Sequence, residues 1–214
     1  MNFVCPPCIF SCTSVPEISL AILPIYIYEQ PVLRRKARPV RGASEALVRF
    51  IQDMFDTLHN ANGIGLAANQ VGSLQRVIVV DISDVDEEKY PAESATAKKP
   101  IVLINPEIIA AEGSWVMEEG CLSIPDIREE VERPKNIRVR FNDIEFRERE
   151  LDAEGLLSRV IQHEIDHLNG ILFVDRLGAV KRKLLTGRLN KMRKGEIEVD
   201  YPVVTSAPIG AELK

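Results

Sequence analysis

The stretch GLLSRVIQHEIDHLNG, residues 155–170, restricts the fold more than any other part of the chain. At 3.6 residues per turn, Leu156, Val160, His163 and His167 fall within an arc of roughly 60°. Leu157, Ile161, Ile165 and Leu168 form a second apolar stripe beside it. A helix apolar over so much of its circumference has to be covered on most sides, so it belongs at the centre of a domain. The helix is expected over residues 155–169, with Gly170 as its stop. Its first stripe is expected to face both a metal and an apolar cavity.

HEIDH at 163–167 matches H-E-x-x-H. Positions i and i+4 share one helical face, so both imidazoles can reach a single cation. Glu164 lies about 100° further around the axis, unsuited to be a ligand but able to act as a general base on a water. The bland alternative is a pair of packed core histidines. A catalytic site of this type normally has three protein ligands and an open position. Phe173 stands where the longer H-E-x-x-H-x-x-G-x-x-H pattern has its third histidine, although Gly170 is in place. His59 ends a predicted helix, and Glu196 and Glu198 lie in a predicted terminal strand. Cys121, in EEGCLSIP, is the remaining candidate: its thiolate is a soft ligand, and Gly120 permits close backbone approach. A lone cysteine is otherwise a small buried hydrophobe.

The surroundings of that helix combine helices with antiparallel strands and show no βαβ rhythm. The expected class is α+β, with mixed or antiparallel sheets packed around the central H-E-x-x-H helix. ASEALVRFIQDMFDTLHNANG reads as an amphipathic helix, with Leu47, Phe50, Ile51, Met54 and Leu58 on one face, Ser44 as N-cap and Asn62-Gly63 as stop. RVIVVD and IVLINP read as buried strands, separated by a polar loop. NIRVRF and IEFREREL suggest a hairpin turning at Asn142-Asp143. AVKRKLLTGRLNKMRKG is a basic helix, and EIEVDYPVV alternates as a strand does. GIGLAANQVG, 63–72, is a glycine-rich loop suited to close approach to a ligand, with Gln70 offering an amide donor. It lacks the following Lys-Ser/Thr of a phosphate loop.

In order, GIGLAANQ, EGCLS and QHEIDH strongly resemble the motifs of the peptide deformylase family, and the similarity runs from about Ile22 to Lys194. The resemblance implies removal of the formyl group from the N-terminal formylmethionine of nascent bacterial or organellar proteins. It implies that Cys121, His163 and His167 hold one divalent metal, commonly Fe²⁺, with a water in the fourth position. Glu164 would take and deliver protons, and the Gln70 side chain and the Leu122 backbone N–H would hold the oxyanion. Gly65 is a family-matched contact near this centre. Ile64, Leu156 and Val160 are candidates for the methionine pocket. Glu119 and Arg128 match the extended motif EGCLSIPDIR, Glu119 as a brace of the site and Arg128 as either a substrate contact or a solvated surface residue. A Cys/His/His set also accepts zinc, nickel or cobalt.

Composition is in keeping with this. Hydrophobic residues make up 45% and charged residues 28% of 214, ordinary for a globular domain. The net charge of −5 argues against wholesale nucleic-acid binding, and DNA is not an expected partner. No run approaches the ~20 apolar residues of a membrane span. A cytoplasmic location of bacterial type is expected, with an organellar one left open. Residues 1–20, with Cys5, Cys8 and Cys12, are expected to be a flexible extension rather than a secretion signal, a disulfide framework or a metal site. They precede the usual family start, as an appended tail or a mis-set initiation codon would. Residues 21–195 are expected to form the catalytic unit, and 196–214 a terminal strand and tail. Lys181–Lys194 carries seven Lys or Arg and no acid, either as a solvated helix face or as a contact for ribosomal RNA. Two other readings remain at this stage: a zincin-type metallopeptidase cutting internal amides, and a non-catalytic, ribosome-associated binding protein.

Overall fold

The computed structural model describes residues 21–85 and 99–205. The tail with Cys5, Cys8 and Cys12 and most of the acidic loop after Ile82 lie outside them. Three α-helices are present among the described residues: α1 (Glu45–Asn60), α2 (Gly155–Leu168) and α3 (Ala179–Arg193). Nine strands accompany them: β1 (Ile25–Tyr26), β2 (Gly65–Ala67), β3 (Val77–Val80), β4 (Ile101–Glu112), β5 (Trp115–Cys121), β6 (Ile124–Arg133), β7 (Asn136–Asn142), β8 (Glu148–Glu154) and β9 (Val203–Val204). The class is α+β, as expected.

Five strands form one antiparallel sheet in the order β2-β3-β4-β7-β8. α2 packs against β2, β3, β7 and β8. Every residue from Gly155 to Leu168 is buried, which is the outcome its two apolar stripes demand. Leu156, Leu157, Val160, Ile161, Ile165 and Leu168 share a core with Ile78, Leu103 and Val139 of the sheet. α2 has no side-chain N-cap, so tertiary burial carries it. Gly170 follows at φ 76°, and a Cβ there would lie 2.6 Å from the Arg34 carbonyl oxygen. Only glycine satisfies both the left-handed backbone and that contact.

α1 starts as its sequence suggests: Ser44 Oγ accepts from the Leu47 N–H at 3.1 Å. Its buried face carries Leu47, Ile51, Met54 and Leu58, and the chain leaves it through Asn62 at φ 50°. β5 and β6 form a separate antiparallel hairpin with a bulge between Glu119 and Cys121. β1 and β9 pair in parallel, Ile25 with Val203 and Tyr26 with Val204.

Two expectations need correction. The β7–β8 hairpin exists, but Asn142 pairs with Glu148, so Ile144 to Phe146 lie in the turn and not in a strand. Asp143 is the reason: its carboxylate accepts from the Glu145 and Arg147 amides at 3.0 and 2.9 Å, which supports a longer loop with Phe146 at φ 63°. The terminal strand expected over EIEVDYPVV shrinks to Val203–Val204. Residues 196–202 have no partner strand, and their alternating apolar side chains pack elsewhere: Ile197 against the core under α3 and Tyr201 against that under α1.

Candidate metal centre and its cleft

His163 and His167 project from one face of α2, their ring centroids 5.0 Å apart. Cys121, the last residue of β5, brings Sγ to 3.2 Å from His167 Nε2. One donor atom from each of Cys121, His163 and His167 lies within 4.8 Å of the others. Metal bonds of about 2.3 Å to sulfur and 2.0–2.1 Å to nitrogen in a tetrahedron place donors about 3.4–3.6 Å apart. A soft thiolate with two imidazoles therefore fits a divalent transition metal in both spacing and chemistry. The other candidates for a third ligand are elsewhere: His59 Nε2 is 2.8 Å from Asp81, and Glu196 and Glu198 do not line the cleft.

Glu119, also on β5, holds His163 from behind, Oε2 to Nδ1 at 3.1 Å. That bond turns Nε2 toward the cluster, the arrangement by which a carboxylate orients a ligating histidine. Glu119 is itself held by Arg133, through bonds of 2.6 and 2.9 Å, and by Arg159 at 2.5 Å. Arg133 also reaches Asp166 at 2.7 Å, and Asp166 meets Arg176 through two bonds of 2.5 Å. Although burial opposes its charge, the bonds from His163 and Arg133 keep the Glu119 carboxyl far below the usual range. Burial also opposes a charge on His163, but its bonds to Cys121 and Glu119 outweigh that and raise it well above the ordinary value. Burial, with the neighbouring His163 charge, keeps His167 well below it. A bound cation would require neutral imidazoles and a thiolate, so binding releases protons here.

Glu164 is turned away from the ligand arc, as the helical geometry requires, and lines the cleft. It is 4% exposed, and its Oε2 has no hydrogen-bond partner. Burial pushes its carboxyl up to about 7, against the pull of His163 and Arg133. A buried oxygen left without a donor is costly unless something from the cleft supplies one. Gly65 lies against it: a Cβ on Gly65 would sit 2.6 Å from Glu164 Oε1 and from Val160 Cγ1. The glycine thus lets β2 approach α2 and keeps the Glu164 side chain in place.

Gln70 is oriented by its neighbours. Its Oε1 accepts from the Ala67 amide at 2.8 Å, which leaves Nε2 to donate to Ser123 Oγ at 3.2 Å and to lie 3.7 Å from Cys121 Sγ. Leu122 sits in the short turn between β5 and β6, beside the same centre. The cleft has a volume of ≈ 790 Å³. Ile64 borders it at 36% exposure, and Leu156 and Val160 form part of its buried wall. Arg128 lies exposed along one side, passing over Gly120, whose added Cβ would be 3.4 Å from Arg128 Cγ.

Eleven of the twelve candidate site residues thus line one cleft, and the twelfth, His167, lies behind it against Cys121. Sequence reasoning missed Ser123, Arg133, Arg159, Asp166 and Tyr201. Arg159 and Asp166 left a trace: both are charged residues on a helix otherwise apolar enough to be buried. Arg159 stands four positions before His163. It donates to the Trp115 carbonyl, and its guanidinium lies 5.0 Å from the Trp115 ring centroid.

The family model described as "Polypeptide deformylase" matches residues 22–183. The peptide deformylase of Salinibacter ruber is 51% identical over 185 residues, covering 86% of this chain and 95% of that protein. A crystal structure of a peptide deformylase from Legionella pneumophila superposes with a TM-score of 0.72 at 39% identity, over 82% of this chain and 98% of that one. A Met-Ala-Ser-bound crystal structure of a class I type b peptide deformylase from Acinetobacter baumannii gives 0.67 at 35% identity, over 74% and 99%. Agreement of this length, in sequence and in backbone, makes the chain a member of the peptide deformylase family.

Proposed function

We propose that this protein hydrolyses the formamide of N-formylmethionyl peptides, with Cys121, His163 and His167 as the ligands of one divalent cation. The observation that carries the reading is Cys121 Sγ meeting the two imidazoles of α2 beside the unpartnered Glu164 oxygen. Held by Cys121, His163 and His167, such an ion would supply Lewis acidity toward the formyl carbonyl and toward water. Iron(II) is the ion we propose, on the family resemblance.

Glu164 accepts a proton as water adds to the formyl carbon, then passes it to the nitrogen as the C–N bond breaks, so that formate and a free amino terminus leave. Negative charge collects on the formyl oxygen, where the Gln70 amide and the Leu122 N–H are suited to donate. The Ala67 amide keeps Gln70 from presenting its oxygen instead. The peptide enters extended, pairing backbone with backbone, and its methionine side chain fills the apolar wall made by Leu156 and Val160. Met-Ala-Ser bound to the Acinetobacter protein is a ligand of the size this cleft takes.

Wild-type protein is expected to deformylate formyl-Met-Ala-Ser and to lose that activity on complete chelation, while leaving an unformylated longer peptide intact. Cleavage of the longer peptide alone would favour an internal metallopeptidase. Undiminished deformylation after chelation would overturn the metal centre. Protein purified without oxygen should contain iron by elemental analysis.

No described helix is long and apolar enough to cross a membrane, and we place the reaction in a bacterial-type cytoplasm. The basic α3 is proposed to touch the ribosome. Lys183 and Lys191 are exposed, whereas Lys181 pairs with Glu129 and Glu130 at 3.4 and 3.5 Å. Reversing Lys183 and Lys191 should therefore weaken co-sedimentation with ribosomes at low salt more than reversing Lys181. Equal co-sedimentation of all three with the wild type would eliminate this contact.

A further inference from the structure

The residues after α3 return across the molecule to the cleft. Val199, Asp200 and Tyr201 line it. The segment is pinned just beyond by β9, with the Ile25 N–H donating to Pro202 O at 2.8 Å and the Ile27 N–H to Val204 O at 3.0 Å. Tyr201 Oη donates to the Leu122 carbonyl at 2.9 Å.

That carbonyl belongs to the turn made by Leu122 and Ser123. The other side of the turn is held by two bonds: the Tyr28 N–H to Ser123 O at 2.8 Å and Gln70 Nε2 to Ser123 Oγ at 3.2 Å. Cys121 pairs with Ile124 across its base. Tyr201 thus supplies the side-chain bond to the half of the turn that carries the Leu122 amide, and it comes from 79 residues away. We propose that Tyr201 is a positioning residue for deformylation: its hydroxyl, delivered by the C-terminal segment, fixes the Leu122 turn so that the Leu122 N–H meets the developing oxyanion. The inference rests on the function proposed above.

Hydrogen bonds to an oxyanion weaken steeply with misalignment, and a donor aimed at the transition state matters little to the ground state. Loosening the turn should therefore lower kcat and spare KM. The Tyr201 ring also packs beside Leu122 in the core under α1, and phenylalanine preserves that packing while removing the hydroxyl.

The test is Tyr201→Phe in the metal-loaded, full-length protein, assayed on formyl-Met-Ala-Ser. kcat is expected to fall roughly five- to tenfold with KM within about twofold, as loss of one supporting hydrogen bond allows. Metal content should be unchanged. Tyr201→Leu, which removes the ring as well, should show at least the same fall in kcat per folded, metal-loaded molecule and a lower melting temperature. Wild-type kcat in the phenylalanine variant overturns the proposal. So does a leucine variant that is less stable but turns over normally per folded molecule, because that result describes a packing residue. Failure of the wild type to deformylate at all is a different outcome: it refutes the function, and the role of Tyr201 falls with it, whereas the variant results above overturn that role alone.

Discussion

Glu164→Gln is expected to lower kcat about 10³-fold, within the range for loss of a general acid–base, while the protein keeps its full complement of metal. The expectation follows from position. Glu164 is one residue from a proposed ligand, yet helical geometry turns it out of the ligand arc. Its carboxylate is buried at the cleft with one oxygen unpartnered, within reach of a water but not tied up by the protein. Glutamine keeps the volume and cannot take up a proton, so packing against Gly65 and Val160 survives. Stopped turnover with metal retained, measured by deformylation rate and elemental analysis on the same sample, is the signature. A variant within tenfold of the wild type would remove Glu164 from the mechanism. A non-catalytic binding protein would be indifferent to the change.

The second large effect is on stability. Arg133→Met is expected to cost about 3–5 kcal/mol, the range for removing one partner from a buried ion pair. The Arg133 side chain is 1% exposed and bridges Glu119 and Asp166. Arg159 and Arg176 remain beside those carboxylates but do not replace the cation between them. Arg138→Met is the control: Arg138 makes an equally short 2.6 Å contact to Asp152, but the side chains are 51% and 73% exposed. Exposed, solvent-screened pairs of this kind contribute little to stability. Denaturant unfolding of the two variants at fixed metal concentration separates them, and equal losses would refute the argument from burial. Because Glu119 orients His163, the Arg133 variant should also bind metal more weakly.

The parts of the fold legible in the sequence are those whose signal is local. Ser44 and Asn62 bracket α1 because capping depends on residues a few positions apart. The two stripes of α2 required burial on most sides, and all fourteen of its residues are buried. Elements shaped by distant contacts were harder to read. The β5–β6 hairpin buries charged residues, Glu119 and Arg133, so its apolar alternation is broken, and Gly120 is the one mark of the bulge that delivers Cys121. GIGLAANQ read as a loop, yet Gly65–Ala67 is a strand, because β3 pairs along its edge and α1 and α2 pack against it.

By itself the sequence determined that two imidazoles and a carboxylate would share one buried helix, each at a known angle, since those angles follow from the covalent geometry of the helix. Only the tertiary structure decided which distant group meets them. Cys121 and His167 are 46 positions apart, and Glu119 and His163 are 44. Burial of Arg133 and the return of Tyr201 to the Leu122 turn are of the same kind. Such contacts are set by how the hairpin, the sheet and the C-terminal segment pack together, and no periodicity within any one segment encodes them.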